Sequence, residues 1–163
     1  MKIRNCILIL ATVMVVLGGC GGKMSPRVYN EAIVQMHTKS WEYLNPRMEQ
    51  IYDYKNTSNE KAKLIIDSLN IKYDGYIKHL NEMKYPDAAA NWHKATTQLF
   101  AYVKDSVIPL YSETLNYKPE SQDWYKVWNE IDRRLKGRGS DIEDQIIKEQ
   151  EIFAAAVGES LQR

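Results

Sequence analysis

The chain has 163 residues with 22 basic and 21 acidic side chains, three histidines and a formal net charge of +1. A chain of that size fits one domain and can bury about two thirds of its unfolded surface, enough for a core of its own. The near balance of charge, with no basic stripe, excludes a nucleic-acid-binding design. Eleven Tyr and four Trp against two Phe supply rings with a polar tip, which suit the boundary of a helical bundle or a contact surface.

Lys2 and Arg4 form a basic head, and Ile7 to Leu17 is apolar throughout except for Thr12. A membrane-spanning helix needs about 20 apolar residues to cross roughly 30 Å of hydrocarbon, and this run is shorter. Its layout is that of an export signal that is removed. Leu17-Gly18-Gly19-Cys20 resembles the lipobox of bacterial lipoproteins. That resemblance implies residues 1–19 as a lipoprotein signal peptide and Cys20 as the first mature residue, carrying a thioether-linked diacylglycerol and an acylated amine. Acyl chains stabilise membrane association by about 0.8 kcal/mol per CH₂, and two or more give a stable anchor. The membrane is then a partner through the lipid on Cys20, without the chain being embedded in it. An ordinary secretory signal that happens to end in cysteine is the plainer alternative. Cleavage removes Lys2, Arg4 and no acid, moving the net charge from +1 to −1. It also removes Cys6, so Cys20 is the only mature cysteine and no internal disulfide forms.

Residues 20–25 read as the lipidated cysteine and a flexible tether, and 26–163 as a single helical-bundle domain. Ser25 supplies an N-cap oxygen and Pro26 occupies the first helical position. Ile33, Met36, Ser40, Leu44, Ile51 and Tyr54 then recur at helical spacing, which predicts helix 1 over about 26–54. Pro46 removes one backbone hydrogen bond, but the apolar stripe keeps its phase across it. A kinked continuous helix is favoured over a new helix capped by Asn45.

Thr57 and Glu60 form a capping box for helix 2, about 58–84, whose stripe includes Ile66, Leu69, Tyr73 and Leu80. It ends before Pro86, because a residue preceding proline disfavours helical geometry. Asp87 is the expected cap of helix 3, about 87–115, with Trp92, Leu99, Val103, Val107 and Tyr111 on its buried face and a second kink at Pro109. Ser121 is the expected cap of helix 4, about 121–158. Its face runs Trp124, Val127/Trp128, Ile131, Leu135 and then Ile142, Ile146 and Phe153. Gly137-Arg138-Gly139-Ser140 interrupts this face, and Ser140 with Glu143 is itself a possible capping box. One long helix, weak at 137–140, is favoured over two. There is no alternating strand pattern and no repeat. The expected fold is all-α, an up-and-down four-helix bundle.

The lipobox, the Tyr29-Asn30-x-x-Ile33-Val34 opening of helix 1, Leu99-Phe100-x-Tyr102 in helix 3 and Gln150-x-x-Phe153-Ala154 in helix 4 together resemble a family of small surface lipoproteins of diderm bacteria, Bacteroidetes-like, with a four-helix bundle. The resemblance spans most of the mature chain. It implies the fold and the anchor, and it carries over no catalytic residue, since no activity is established for that family. Residues 21–25 lack the acids found behind the cysteine of many surface-exported Bacteroidetes lipoproteins. Both the periplasmic face of the outer membrane and the cell surface therefore stay open as locations.

The residues offer little chemistry. A carboxylate-bridged di-metal bundle needs Glu-x-x-His motifs, and neither His37, His79 nor His93 follows a glutamate at that spacing. His79 and Glu82 flank the stripe and read as a solvated pair. There is no second mature cysteine for zinc, no haem-attachment motif, no nucleophile elbow and no phosphate loop. No metal, cofactor or enzymatic activity is expected. Glu149 falls core-side late in helix 4, where an ion pair with Arg47 is the plain expectation and a raised pKa the sharper one. Trp124 and Trp128 lie four apart on one side of helix 4. They pack the end of the bundle or, as candidate binding residues, offer a patch to an envelope protein or a glycan. The leading expectation is a lipid-anchored, non-enzymatic binding or scaffolding module of the cell envelope. Behind it stand a small-ligand carrier with a cavity between kinked helices 1 and 3 and, last, an enzyme with an unfamiliar site.

Overall fold

A computed structural model describes residues 22–158. The leader, Cys20 and residues 159–163 lie outside the described residues, so the signal-peptide and lipidation assignments concern a part of the chain without a structural description. The described chain is all-α and forms a four-helix bundle. Its first two rods are α1 (Pro26–Tyr52) and α2 (Asn59–Glu82). The third opens with a 3₁₀ turn (Asp87–Ala89) and continues through α3 (Ala90–Tyr102), a π-helical segment (Val103–Val107) and α4 (Ile108–Thr114). The fourth is α5 (Gln122–Arg134), a second π segment (Leu135–Gly139) and α6 (Ser140–Val157).

Neighbouring rods run antiparallel. Rod two packs on rods one and three, and rod three on rod four, with α3 against α6 and α4 against α5. Side chains close the ring: Gln150 Nε2 donates to Asn30 Oδ1 at 3.1 Å, and Trp41 Nε1 donates to Glu143 Oε1 at 2.9 Å. The stripes read from the sequence meet inside, with Ile33, Leu44, Leu69, Leu80, Leu99, Val107, Ile131 and Phe153 all essentially inaccessible. Polar residues on those stripes are satisfied locally. The Ser40, Thr96 and Thr114 hydroxyls donate to carbonyls three or four residues back, at 2.7, 3.0 and 2.7 Å.

The helix ends follow the cap chemistry with two shifts. Ser25 and Ser121 accept from the Val28 and Trp124 amides, at 3.4 and 3.3 Å. The cap of α2 is Ser58, accepting from Lys61 N at 3.3 Å, rather than Thr57, whose side chain is buried. Asp87 makes no cap hydrogen bond and instead forms an ion pair with Lys23. α2 ends at Glu82, two residues early, with Met83 already extended.

Both prolines lie inside continuous rods. At Pro46, Arg47 Nη1 donates at 3.0 Å to the Tyr43 carbonyl in the turn that the ring disturbs. At Pro109 the backbone widens first: Ile108 N–H donates to Val103 O, five residues back, within the π segment. The weak point at 137–140 is likewise a π segment in one rod, with Gly137 off helical geometry at φ −91°, ψ −105°. Ser140 opens α6 inside this rod rather than capping it, since the cap position falls at Gly139 with no side-chain hydrogen bond, and Glu143 is free to serve α1.

Candidate interaction surface

The two ends of the bundle differ. At one end the chain comes in, with Met24 N–H donating to Lys84 O at 2.8 Å. Beneath it Tyr29, Trp92 and Phe153 pack ring against ring at 5.3–5.8 Å, all within 1 % of full burial. His93 is stacked on Tyr85 at 4.0 Å, and the Leu80 carbonyl takes a hydrogen bond from its imidazole. Nδ1 then accepts from the Tyr29 hydroxyl at 3.2 Å. Burial pushes this imidazole below its ordinary pKa and pushes the Tyr29 phenol up.

The opposite end collects six more rings. Trp124 is only 4 % exposed and Trp128 half-buried. Tyr52, at the end of α1, sits 5.1 Å from Trp124 and 5.0 Å from Trp128, and Tyr125 meets Trp124 edge-on at 5.0 Å. Tyr54 and Tyr111 complete the cluster, at 6.0 Å from Trp124 and 5.7 Å from Trp128. The tryptophans are thus the foundation of this surface, and its accessible rings are Tyr52, 50 % exposed, and Tyr125, 44 % exposed. The sequence reading missed these two. Tyr52 adjoins the Ile51/Tyr54 stripe and Tyr125 adjoins Trp124, so neither falls on a stripe of its own.

The surface is braced across its two loops. The Tyr54 hydroxyl donates to the Glu120 carboxylate, which pushes the phenol up to about 12. Glu120 takes φ 64°, a left-handed conformation that costs a non-glycine residue about 1–2 kcal/mol and persists where its surroundings enforce it. Two buried polar atoms beneath, Trp128 Nε1 and Tyr111 Oη, have no hydrogen-bond partner among the described residues.

The other candidate residues are dispersed. Antiparallel packing sets Glu149 beside the start of α1, where its neighbour Gln150 meets Asn30. Arg47, in the far half of α1, lies over the Tyr43 ring at 3.4 Å. The expected Glu149–Arg47 ion pair is therefore not formed. His37, His79 and His93 do not cluster: His79 is exposed, while His37 Nε2 lies 3.3 Å from Glu143 Oε1. That imidazole, with the Trp41 donor, holds the Glu143 carboxyl below the usual carboxylate range. No group of three or more His, Cys, Asp or Glu side chains suited to a metal ion occurs among the described residues.

Pro46 and Pro109 both face outward, while Leu44, Val107 and Ile108 beside them are fully buried. Open space near α1 lies instead in a surface groove against α2, and space near Pro109 in a groove between α2 and α4. No helix among the described residues is long and apolar enough to cross a membrane. No protein-family model, curated protein or solved structure matches the chain.

Proposed function

We propose that the protein is a lipid-anchored module of the cell envelope that binds a partner, an envelope protein or a glycan, through its aromatic end, and that it is not an enzyme. The observation that carries this reading is the polarity of the bundle. The N-terminal segment that would lead back to a lipidated Cys20 joins one end, and the exposed Tyr52 and Tyr125 rings crown the other. The 27 residues of α1 separate the ends by about 40 Å at about 1.5 Å per residue. A module tethered to the outer membrane, on its periplasmic face or at the cell surface, would hold the aromatic end clear of the lipid. Aromatic side chains with a polar tip are enriched at contact surfaces because they bury large area with little loss of rotamer freedom. The resemblance to small Bacteroidetes-like lipoproteins and the lipobox support the anchor.

Two variants test the two halves. Cys20→Ser is expected to move the protein from the membrane to the soluble fraction, and unchanged fractionation contradicts the anchor. Tyr52→Ser with Tyr125→Ser is expected to keep fold and fractionation while losing products crosslinked in intact envelopes, and an unchanged crosslinked set contradicts the surface.

A further inference from the structure

We propose that the groove between α1 and α2, lined by Tyr43, Ser68, Ile71, Lys72, Gly75 and Tyr76, binds a small amphipathic anion, a carboxylate or phosphate carried on an apolar body. This site is distinct from the aromatic end and does not depend on the anchor.

The first ground is charge without a counter-ion. Lys72 Nζ lies 5.6 Å from the Tyr43 ring centroid and 5.1 Å from that of Tyr76, bracketed by two aromatic faces. The Arg47 guanidinium lies over the same Tyr43 ring at 3.4 Å. Two cations on one ring fall within a single Debye length, about 10 Å at 0.1 M salt, where they repel each other. Neither takes a carboxylate partner among the described residues, and no acid lines the groove. Ring faces offset part of that repulsion; an anion would reverse it.

The second ground is an open apolar wall. Ile71 is 73 % exposed, the most accessible large hydrophobic among the described residues. One turn on, Gly75 leaves the α2 surface bare: a Cβ there would meet nothing within 4 Å. Glycine within a helix is less favourable than alanine, and no neighbouring group requires it here. Its effect is to keep a space of about 440 Å³ open beside Lys72, within the size range of small-molecule sites. The far wall is fixed, because Tyr76 stacks on the buried Phe100 at 5.3 Å and 22°. Desolvation and the nearby Tyr43 raise the Tyr76 phenol's pKa, so it stays protonated and able to donate at neutral pH. An ammonium and a phenol O–H beside a bare apolar strip suit an anionic head with a hydrocarbon body.

The test is titration of the isotope-labelled full chain with sodium decanoate, followed by amide chemical shifts. Acetate serves as head without body, and decyltrimethylammonium as body with the opposite charge. Saturating shifts confined to residues around 43–47 and 68–76 are expected with decanoate alone. Lys72→Glu and Gly75→Leu, each checked for retained helicity, should weaken the dissociation constant at least about tenfold. Displacement of decanoate by vesicles containing phosphatidylglycerol would identify a lipid headgroup as the source, and lack of displacement a free amphiphile. The proposal is overturned if decanoate produces no localised shifts, if decyltrimethylammonium binds equally well, or if folded Gly75→Leu binds as the parent does.

Discussion

Three glycine-to-alanine substitutions should change stability in different ways, because the added methyl group meets open space on a helix at Gly75, a crowded carbonyl at Gly139 and a left-handed backbone at Gly158. At Gly75, inside α2, the new Cβ contacts nothing within 4 Å, so only the helix-propensity term acts. Alanine is favoured over glycine there by about 1 kcal/mol, equivalent to a rise of roughly 3–5 °C in Tm for a domain of this size. At Gly139, closing the second π segment, the Cβ would sit 3.3 Å from the Arg134 carbonyl oxygen and 3.8 Å from the Tyr102 ring. That carbonyl is also the acceptor for the Tyr102 hydroxyl at 3.2 Å. Crowding a backbone oxygen that the Tyr102 hydroxyl already holds should cancel the propensity gain, leaving Gly139→Ala neutral or destabilised. At Gly158 the residue after α6 has φ 68° and its N–H donates to Ala154 O. Alanine in that conformation is disfavoured by about 1 kcal/mol. Urea unfolding followed by circular dichroism would order the variants as Gly75→Ala above the parent, with Gly139→Ala at or below the parent and Gly158→Ala below it. Destabilisation by Gly75→Ala, or an equal gain at Gly139, would refute the packing described for those positions.

Other consequences can be measured in the same way. Trp92→Ala removes a fully buried indole from between Tyr29 and Phe153 and should cost about 3–5 kcal/mol by urea denaturation. Ser121→Ala removes the hydroxyl that accepts from the Trp124 amide and should cost about 1 kcal/mol in the same assay. Stability should also fall on acidification. Burial depresses the His93 pKa in the folded state, so below its ordinary value of about 6.5 the unfolded chain binds the extra proton first. From there down to the folded pKa, stability declines by at most about 1.4 kcal/mol per pH unit, and His93→Gln should flatten that slope in urea midpoints. Glu143, whose carboxyl His37 holds low, contributes stability above the ordinary carboxylate pKa and loses it as pH falls through the folded one. Being partly exposed it contributes little, and Glu143→Gln should leave the slope near pH 6 unchanged.

The rods were legible because each stripe is long and helical in period, and because Ser25, Ser121 and Pro26 act through neighbours in sequence. Pro46 and Pro109 showed that the rods bend their hydrogen-bond pattern, but not how. The local arrangements, an Arg47 side chain on the Tyr43 carbonyl next to the one that Pro46 leaves without its amide partner and an extra residue taken up between Val103 and Val107, depend on the surrounding packing. The choice of Ser58 over Thr57 also rested on packing, since Thr57 has an interior place to fill and Ser58 does not. Trp124 and Trp128 could be placed on one side of a helix, but a side of a helix does not say what covers it. Tyr52, 72 residues before Trp124 and in another rod, supplies one of the two accessible rings. Glu149 misled for a related reason: its position on a stripe gave its face, while the antiparallel register that separates it from Arg47 exists only in the folded chain.

Site-specific photocrosslinking in living cells tests the central claim most directly. A benzoylphenylalanine at Tyr125, on the aromatic end, should give a discrete crosslinked product in the envelope fraction. The same group at Ile147, 55 % exposed on α6, should give none. Equal products from both positions, or a product from Ile147 alone, would contradict the assignment of the aromatic end as the binding surface.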